Sequence, residues 1–482
     1  MKLYFTSDSH GFLFPTDYLD REPKKIGLFQ VWQEYEIDGN TLMIDGGDTL
    51  QGSPFLFYYK DKNAPEMMGN FFNLGGCQYY TLGNHDFNYG YEFLRRYVTN
   101  SKATLLCANV EDVTGQMEIR PHAIHTLEDG TRVGLLGAVT HWVNLWERKE
   151  HIENFRIRHP LEPLRKALNE IKDQCDVTVL IYHGGIEEDL DTGEKLVNND
   201  ENIGAELARE LDLDILLTGH QHMPFANKMA YGTHIVQAPA HGEGAVEILW
   251  QKEKIESRII HPKKSSSILA QTYASFDQEV QDYLDRPVAK LPQDLLPEDR
   301  LEMALKGSKL ADFINGIQKD YAQSDLSITS FANEITGLKK DVTLRNVMLT
   351  YPYPNTLVVL EITGAKLKEA LEQNYSYVVY DNGTFSINDR FTTPKEEHYN
   401  FDFFYGLEYD IDFTKAIGKR ITNLRRGGKP IEAEDRLTLA MNNYRATGAG
   451  GFDMYTTCPL VKDIQRDVQE ILIEAIARMG EE

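Results

Sequence analysis

Short apolar runs alternate with helical patterns through the first half of the chain, and this alternation constrains the fold more than any other feature. The runs read as strands at residues 2–7, 41–44, 77–81, 132–136, 176–182 and 214–217. Between them lie amphipathic segments such as residues 160–174, where Leu161, Leu164, Leu168 and Ile171 recur at helical spacing after Pro160. Strands that alternate with helices predict a layered α/β domain.

A polar, turn-rich stretch from His261 to Ser267 marks the predicted domain boundary. The 482 residues allow two to four domains at about 150 residues each, and all of the 14 histidines except His398 lie at or before His261. We expect an α/β domain over residues 1–265, a linker helix over residues 266–289 and a mixed α+β domain over residues 290–482. In the last domain the pattern predicts helices at residues 308–321, 364–373 and 464–479, and strands at residues 356–362 and 436–441.

The charge of the chain limits its partners. There are 50 basic and 74 acidic residues, which gives a formal net charge of -24 at pH 7. Such an excess repels DNA, RNA and anionic lipid surfaces, and no run reaches the roughly 18 apolar residues of a membrane span. We therefore expect neither a nucleic-acid nor a membrane partner, and the oligomeric state is left open.

Cysteine usage bears on the cellular compartment. The four cysteines are far apart and form no Cys-x-x-Cys pair, so a disulfide scaffold is not expected and a reducing compartment suits the chain. The first residues lack the charged start, apolar run and small-residue cleavage site of a signal peptide. These features predict a cytoplasmic protein.

Polar motifs follow five of the apolar runs, at the point where each strand is expected to end. They are Asp8-Ser9-His10, Gly46-Gly47-Asp48, Gly83-Asn84-His85-Asp86, His183-Gly184-Gly185 and Gly219-His220-Gln221-His222. In open α/β sheets, ligands bind outside the carboxyl ends of the strands, where the following loops converge. Glycines beside the polar residues permit sharp turns and close backbone approach. The five motifs therefore predict one shared site.

The side chains in these motifs are carboxylates, imidazoles and one amide, and this donor set suits zinc, manganese or iron. We assign seven candidate metal ligands: Asp8, His10, Asp48, Asn84, His183, His220 and His222. One ion would be held by Asp8, His10, Asp48 and His222, and the other by Asp48, Asn84, His183 and His220. Asp48 can be shared because a carboxylate has two oxygens. Two neighbouring divalent ions suit phosphoryl transfer.

The order of the motifs resembles the pattern of the metallophosphoesterases. Residues 47–53 and 83–90 are similar to the two-domain 5′-nucleotidase family within that group. Segments of the second half resemble its 2′,3′-cyclic-nucleotide 2′-phosphodiesterase/3′-nucleotidase branch, namely residues 344–346, 353–357, 399–402 and 442–446. The resemblance covers essentially the whole chain. It implies a calcineurin-like α/β sandwich, with helices on a two-sheet core, followed by an α+β substrate domain.

The same resemblance implies that the second domain binds the nucleotide base between two aromatic side chains, which Tyr353 and Tyr444 match. Stacking contributes about 1–3 kcal/mol and does not demand one particular base. We also assign to substrate binding the glycine-rich loop after Tyr444, composed of Arg445, Ala446, Thr447, Gly448, Ala449 and Gly450. For either tyrosine alone, a half-buried structural role is the competing interpretation. Pro352 and Pro354 beside Tyr353, and the loop after Tyr444, favour binding.

His85 is the candidate catalytic residue. The resemblance implies that it stabilises charge on the phosphoryl oxygen or the leaving group. A carboxylate normally orients such a histidine, and in the 5′-nucleotidase branch that carboxylate stands three residues later, where this chain has Asn88. Asp86 is adjacent to His85. The sequence therefore leaves open whether Asp86 or Asn88 is the partner within the candidate catalytic set.

Two other features receive structural interpretations. His241 is expected to be structural, and a position near the metals is the alternative. The acidic run at residues 187–191 is expected to be a solvated loop.

Together, these features predict a hydrolase of nucleotide phosphoesters that uses two divalent metal ions, of the 2′,3′-cyclic-nucleotide 2′-phosphodiesterase/3′-nucleotidase type. A 5′-nucleotidase or nucleotide-sugar pyrophosphatase with the same centre is the first alternative. A nucleotide-binding protein without catalysis is the second.

Overall fold

The computed structural model describes residues 1–60, 62, 64–196, 200–252, 254–353, 355–393 and 395–480. The chain forms two compact units, Met1–Gln281 and Asp282–Glu482, which we call unit 1 and unit 2. The division falls within the range expected for the linker helix. The helices of that range are Ile268–Thr272 and Ala274–Leu284.

The strands of unit 1 alternate with its helices. The strands are β1 (Lys2–Thr6), β2 (Thr41–Asp45), β3 (Tyr79–Tyr80), β4 (Thr104–Leu105), β5 (Val110–Asp112), β6 (His122–Thr126), β7 (Arg132–Val139), β8 (Phe155–Ile157), β9 (Val177–His183), β10 (Ile215–Thr218), β11 (Phe225–Ala230), β12 (Thr233–Gln237), β13 (Ala245–Gln251) and β14 (Lys254–Ile260). The helices are α1 (Leu28–Val31), α2 (Pro54–Tyr59), α3 (Ala64–Gly75), α4 (Gly90–Asn100), α5 (Val143–Trp146), α6 (Lys149–Ile152), α7 (Leu161–Ile171), α8 (Gly204–Glu210), α9 (Ile268–Thr272) and α10 (Ala274–Leu284), whose last three residues belong to unit 2.

Two six-stranded sheets form the core of unit 1. Their strand orders are β14-β13-β1-β2-β3-β4 and β11-β12-β10-β9-β7-β6. Apolar side chains from both sheets, such as Phe5, Ile44, Val179 and Leu217, are buried in one cluster between them. Helices α7 and α8 bury their apolar faces against the second sheet. The sandwich with helices on a two-sheet core is therefore confirmed.

The central strands of both sheets run parallel, and this arrangement places the site. In the first sheet β1 pairs with β2, and in the second β9 pairs with β7 and β10, each in parallel register. These strands are buried along their whole length apart from the first residues of β1 and β7, which explains why they appear in the sequence as continuous apolar runs. Because parallel strands end at the same edge of a sheet, the loops after them meet there.

Unit 2 is a mixed α+β fold, as predicted. Its strands are β15 (Pro287–Lys290), β16 (Leu326–Ser330), β17 (Asp341–Thr343), β18 (Thr356–Thr363), β19 (Val378–Asp381), β20 (Thr384–Ile387), β21 (Asp402–Tyr405), β22 (Glu408–Ile411), β23 (Ile421–Arg426), β24 (Lys429–Pro430), β25 (Arg436–Asn442) and β26 (Leu460–Asp467). Its helices are α11 (Arg300–Lys306), α12 (Lys309–Ala322), α13 (Leu344–Thr350), α14 (Gly364–Asn374), α15 (Asn443–Ala446) and α16 (Val468–Met479).

A five-stranded sheet in the order β21-β16-β25-β18-β26 organises unit 2, and separate apolar clusters pack on its two faces. The prediction of a helix over residues 464–479 was wrong for residues 464–467. Those residues belong to β26, which pairs antiparallel with β18 from Thr356↔Asp467 onwards, and α16 starts only at Val468. Pairing across the sheet therefore overrides the local helical pattern.

Within the part of the chain that the structure describes, no helix has the length and the apolar character that crossing a membrane requires.

Candidate functional site

The seven candidate metal ligands lie at the carboxyl ends of strands in both sheets of unit 1. Asp8 and His10 follow β1, Asp48 follows β2, and Asn84 begins a 3-10 turn after β3. In the second sheet, His183 is the last residue of β9, and His220 and His222 follow β10. The structure brings all seven together at one edge of the sandwich.

One group of ligands gathers around Asp8. His222 Nε2 lies 3.4 Å from Asp8 Oδ1 and 3.1 Å from His10 Nε2. His10 Nε2 is 3.9 Å from Asp48 Oδ2. Asp8, His10 and Asp48 each offer a ligand atom within 4.8 Å of the others.

A second group shares Asp48. His183 Nε2 lies 3.3 Å from Asp48 Oδ2 and 3.2 Å from Asn84 Oδ1. Asp48, His183 and His220 also offer atoms that all lie within 4.8 Å of one another. Because Asp48 belongs to both groups, its position fits a bridge between two ions.

The donor atoms of this site suit divalent cations. Asp8 and Asp48 are almost completely buried, and Asp8 Oδ2 has no hydrogen-bond partner among the described residues. Burying a carboxylate oxygen without a hydrogen-bond partner is unfavourable. In addition, His10 Nε2 and His222 Nε2 face each other at 3.1 Å, so two imidazole nitrogens that can bind a metal converge at one point. Cations at this edge would satisfy these atoms, so the residues fit two metal ions.

Hydrogen bonds to backbone carbonyls orient two of the histidines. His10 Nδ1 donates to the carbonyl of Gln51 at 2.7 Å, and His183 Nδ1 donates to the carbonyl of Gly46 at 2.7 Å. In each ring this leaves Nε2, the atom that points into the site, available as a ligand.

Burial and charge move the pKa values of the site residues in different directions. Burial lowers the pKa of His10 to about 4, which favours the neutral form that binds metal. Burial also opposes charge on His183, but the charges of Asp48 and Asp8 and the hydrogen bond to Asp48 outweigh it and raise the pKa of His183 to about 10. Burial would likewise raise the pKa of Asp48, yet His183, His85 and His10 hold it well below its ordinary value.

The turns that carry the ligands have unusual backbone conformations. Five of the seven ligands have positive φ, namely Asp8 (53°), His10 (47°), Asp48 (56°), His220 (70°) and His222 (55°). Such conformations are uncommon for residues other than glycine and concentrate at functional sites. Gly47 has φ +90°, and a Cβ on it would lie 2.3 Å from the backbone nitrogen of Gly83. Glycine is therefore required where the loops after β2 and β3 approach each other.

Asp86 belongs to the scaffold of the site, which corrects its inclusion among the candidate catalytic residues. Its carboxylate accepts hydrogen bonds from the backbone N–H groups of Gly83, Asp48, Thr49 and Leu50, at 2.8–3.1 Å. These contacts fix the loop that follows β2 to the loop that follows β3. Asp86 is thus committed to backbone donors and does not pair with His85.

The partner of His85 is Asn88. His85 Nδ1 lies 2.7 Å from Asn88 Oδ1, and its ring lies beside His10 with 5.4 Å between the centroids. The backbone N–H of His85 donates to Asp48 Oδ1 at 2.7 Å. His85 is therefore fixed directly beside the shared metal ligand.

The structure adds residues that sequence reasoning missed or placed elsewhere. His241, which we expected to be structural, lies 5.5 Å from His10 and 5.2 Å from His222 between ring centroids, so the alternative position near the metals describes it better. Its positive φ of 53° matches the ligand turns. Trp146 stacks on His220 at 5.5 Å, and no sequence pattern pointed to that contact.

The acidic run at residues 187–191 begins as a buried structural element, which corrects its prediction as a solvated loop. Glu187 accepts hydrogen bonds from the backbone of Ala205 and Glu206, in the first turn of α8. Glu188 forms an ion pair with Arg209 at 2.6 Å. Both carboxylates tolerate burial because Glu187 accepts from N–H groups at the start of a helix and Glu188 is paired with an arginine.

The candidate nucleotide-binding residues are in unit 2, and the two tyrosines are partly exposed. Tyr353 is 42% and Tyr444 37% exposed, whereas Pro354 lies outside the described residues. Burial raises the pKa of Tyr399, and electrostatic interactions with Tyr444 and Tyr353 add to the rise. The three phenol groups therefore share one neighbourhood.

Arg445 has a structural role, which corrects its assignment to substrate binding. Its side chain is 2% exposed and lies 2.9 Å from Asp402, while Nη2 donates to the carbonyl of Tyr399. Arg445 also donates to the carbonyl of Ala449, so it holds the glycine-rich loop from inside. Loop residues Gly448 and Gly450 have positive φ.

Ala446 ends α15, and Thr447 donates its hydroxyl to the carbonyl of Tyr444. A cavity of about 190 Å³ is lined by Gly450 and Gly451 together with side chains that include Gln373, Arg390 and Asn400. The loop therefore borders a small cavity in unit 2.

Two family descriptions match the chain. Residues 1–224 match calcineurin-like phosphoesterase, and residues 287–457 match 5′-nucleotidase, C-terminal domain. A crystal structure from Staphylococcus aureus, of a candidate 5′-nucleotidase in complex with alpha-ketoglutarate, has a TM-score of 0.89 and 30% sequence identity. The match covers 99% of this chain and 97% of that chain.

Two curated relatives extend the comparison. The trifunctional nucleotide phosphoesterase protein YfkN of Bacillus subtilis is 24% identical over 99% of this chain, but the chain spans only 38% of the length of that protein. The 2′,3′-cyclic-nucleotide 2′-phosphodiesterase/3′-nucleotidase of Yersinia enterocolitica is 26% identical over 92% of this chain and 80% of its own length.

Proposed function

Because this chain belongs to the two-domain 5′-nucleotidase family of metallophosphoesterases, we propose that it hydrolyses nucleotide phosphoesters, with 2′,3′-cyclic nucleotides and 3′-nucleotides as its substrates. The observation that carries this proposal is the position of Asp48, which is common to two groups of ligands at one edge of the sandwich. A shared carboxylate between two ions is what a two-metal phosphoesterase requires.

In this proposal each residue of unit 1 has a definite task. The seven ligands hold two divalent ions, which when bound lower the pKa of water and neutralise charge on the phosphoryl oxygens. Hydrogen bonds to Gln51 and Gly46 keep His10 and His183 oriented towards those ions. His85, whose Nδ1 is held by Asn88 Oδ1 at 2.7 Å, stabilises the charge that develops on the phosphoryl group or the leaving oxygen.

Tyr353 and Tyr444 bind the base by stacking. Both present exposed ring surface, and stacking tolerates any base. The proposal therefore gives unit 1 the phosphate chemistry and unit 2 the recognition of the nucleoside, without a strong preference among bases.

The substrate class rests on the relatives. The protein of Yersinia enterocolitica is named as a member of the cyclic-nucleotide branch, and the match covers 80% of its length. A protein of Salmonella typhimurium with the same name is 27% identical over 93% of this chain. The segments 344–346 and 442–446 resemble that branch as well.

A substrate panel tests the proposal. The 482-residue chain is reconstituted with Mn²⁺. Phosphate release is measured from 3′-AMP and 5′-AMP, and ring opening is measured from 2′,3′-cyclic AMP. We expect kcat/KM for the cyclic and 3′ substrates to exceed that for 5′-AMP. A bis-aryl phosphate serves as a control that needs no base recognition.

Two other outcomes point to the alternatives. A preference for 5′-AMP or a nucleotide sugar would favour a 5′-nucleotidase or a nucleotide-sugar pyrophosphatase, which the structural similarity to the Staphylococcus aureus protein supports. If the protein binds nucleotides but hydrolyses no substrate, the bis-aryl phosphate included, it is a nucleotide-binding protein without catalytic activity.

The metals and the location complete the proposal. Zinc, manganese and iron all suit the donor set, and metal analysis of the protein purified without chelator distinguishes them. The four cysteines are unpaired in the structure, which supports the proposed cytoplasmic location. Cell fractionation tests it.

A further inference from the structure

A short segment beside the metal centre, residues 142–152, contains a carboxylate that the proposed function has not used. The segment carries α5 and α6, with Glu147 between them. It contacts the centre because Trp146 stacks on His220. The side chain of Glu147 is only 7% exposed, so its charge needs partners inside the protein.

Those partners connect Glu147 to His85. Asn88 Nδ2 donates to Glu147 Oε2 at 2.5 Å, and Asn88 Oδ1 lies 2.7 Å from His85 Nδ1. On the other side, Glu147 Oε1 accepts from His151 Nδ1 at 2.9 Å and from the backbone of Arg148 at 2.7 Å. The result is a continuous hydrogen-bonded row from His151 through Glu147 and Asn88 to His85.

The carboxylate of Glu147 determines which group donates and which accepts in each hydrogen bond of this row. Burial would raise the pKa of Glu147, but the hydrogen bonds from His151, Asn88 and the backbone of Arg148 lower it below its ordinary value. An ionised carboxylate only accepts hydrogen bonds. Asn88 must therefore turn its NH₂ group towards Glu147 and its oxygen towards His85, and His85 must carry its hydrogen on Nδ1.

We propose that Asn88 and Glu147 are positioning residues for His85, with Asn88 transmitting the negative charge of Glu147 to the imidazole and fixing its Nδ1–H tautomer. His85 Nε2 then stays available at the metal centre. Hydrogen bonds in a row polarise one another, so an amide hydrogen-bonded to a carboxylate is a stronger acceptor than an isolated amide. This inference rests on the proposed function, because it assigns how that function's catalytic histidine is oriented.

The inference explains how the site operates with asparagine three residues after the histidine. Asn88 alone is neutral and its amide could bind in either orientation. Glu147 removes that freedom, because only one orientation satisfies the carboxylate and the imidazole together. The charge expected next to His85 is therefore present, one hydrogen bond further away.

The test is a cycle of substitutions in the Mn²⁺-loaded 482-residue chain. Glu147→Gln keeps the shape of the side chain and removes its charge. Asn88→Asp places a carboxylate directly next to His85 Nδ1. The third variant combines both substitutions. The substrate is a bis-aryl phosphate, and kcat and KM are measured separately. Glu150→Gln is the matched control, since Glu150 is exposed on the same segment.

We expect each single variant to lower kcat and the double variant to restore it. Glu147→Gln should lower kcat about tenfold, the scale at which supporting hydrogen-bond partners act, with KM and bound manganese unchanged. Asn88→Asp alone should also lower kcat, because it brings two carboxylates together at the present 2.5 Å contact. The double variant should recover most of the activity, since one charge then faces His85 directly. Glu150→Gln should behave as wild type.

A purely structural role of Glu147 predicts a different pattern. Damage would then accumulate in the double variant, and its kcat would be lower than that of either single variant, which would overturn the inference. An unchanged kcat in Glu147→Gln would also overturn it. If Glu147→Gln does not fold, Asn88→Asp decides alone, since a kcat equal to or above that of wild type contradicts the proposed charge on Glu147.

Failure of the inference can be separated from failure of the proposed function. An active wild-type enzyme whose variants do not show the rescue contradicts only the roles of Asn88 and Glu147. A wild-type protein that hydrolyses none of the tested phosphoesters contradicts the proposed function itself.

Discussion

Asp48 is buried, ionised and held in a left-handed turn at the end of β2. In this structure the nearby His183, at 3.3 Å, compensates its charge. The same carboxylate lies within reach of both groups of candidate ligands. Single-residue changes in the site should therefore differ in effect according to whether the residue belongs to one group or to both.

Asp48→Asn should reduce the bound metal from two ions per chain to fewer than one, because the shared ligand loses its charge. Asp8→Asn is the matched variant and should retain one ion, since Asp8 belongs to one group in the proposed assignment. Asparagine tolerates positive φ, so neither change disturbs the turn. Metal analysis after gel filtration measures the stoichiometry. Two tightly bound ions in Asp48→Asn would contradict the bridging role.

Tyr444→Ala should raise KM for a nucleotide about 5- to 150-fold, the equivalent of 1–3 kcal/mol of lost stacking, and leave a bis-aryl phosphate unaffected. Tyr353→Ala should act in the same way. Tyr321, which is 40% exposed in the same unit, provides the control variant Tyr321→Ala. Equal losses with both substrates would instead indicate that the tyrosine is structural.

At the scale of elements, the site depends on how closely the loops after β2 and β3 approach. Asp86 accepts four backbone hydrogen bonds from these loops, and Gly47 removes the side chain that would separate them. The loops therefore act as one unit, and a change that separates them should affect both metals and stability.

Gly47→Ala should lower the free energy of unfolding by about 3 kcal/mol or more, because it adds overlap with Gly83 to the cost of positive φ. Gly130→Ala measures the cost of positive φ alone, since Gly130 has φ +87° and open space around it. Its expected cost is about 1 kcal/mol. Urea unfolding of both variants measures the difference. Equal losses would show that the loop approach contributes nothing.

Elements that the sequence could predict are those whose local pattern and tertiary role agree. The run at residues 176–182 became β9 (Val177–His183) because it is apolar and buried on both faces, and its final histidine marked the site. Glu147 could not be found in this way. It lies 59 residues from Asn88, and no spacing or motif connects two residues that meet only through the fold. The start of α16 was misplaced for a related reason, since residues 464–467 belong to β26, a strand that pairs with β18 far away in the chain.

At the scale of the whole molecule, the two units have separate cores and separate candidate tasks. All seven candidate metal ligands lie in Met1–Gln281, and the candidate stacking tyrosines lie in Asp282–Glu482. A ligand that binds only the folded form stabilises the unit that holds it. Metal should therefore stabilise one half of the chain selectively.

Removal of metal by EDTA should lower the melting temperature of one calorimetric transition by about 5–10 °C, which corresponds to about 2.7 kcal/mol at a hundredfold excess of metal over Kd. The other transition should not move. Asp48→Asn should show the lowered transition without EDTA and no further change with it. Equal shifts of both transitions would contradict separate stabilities of the two units.

The placement of ligands and tyrosines in different units also has an evolutionary consequence. In the proposed division of tasks, mutations that alter the choice of substrate can accumulate in the second half of the gene while selection preserves the metal ligands of the first half. Under that proposal, a lineage carrying this architecture can turn to a related phosphoester through substitutions in unit 2 alone, without inventing a new way to break the bond.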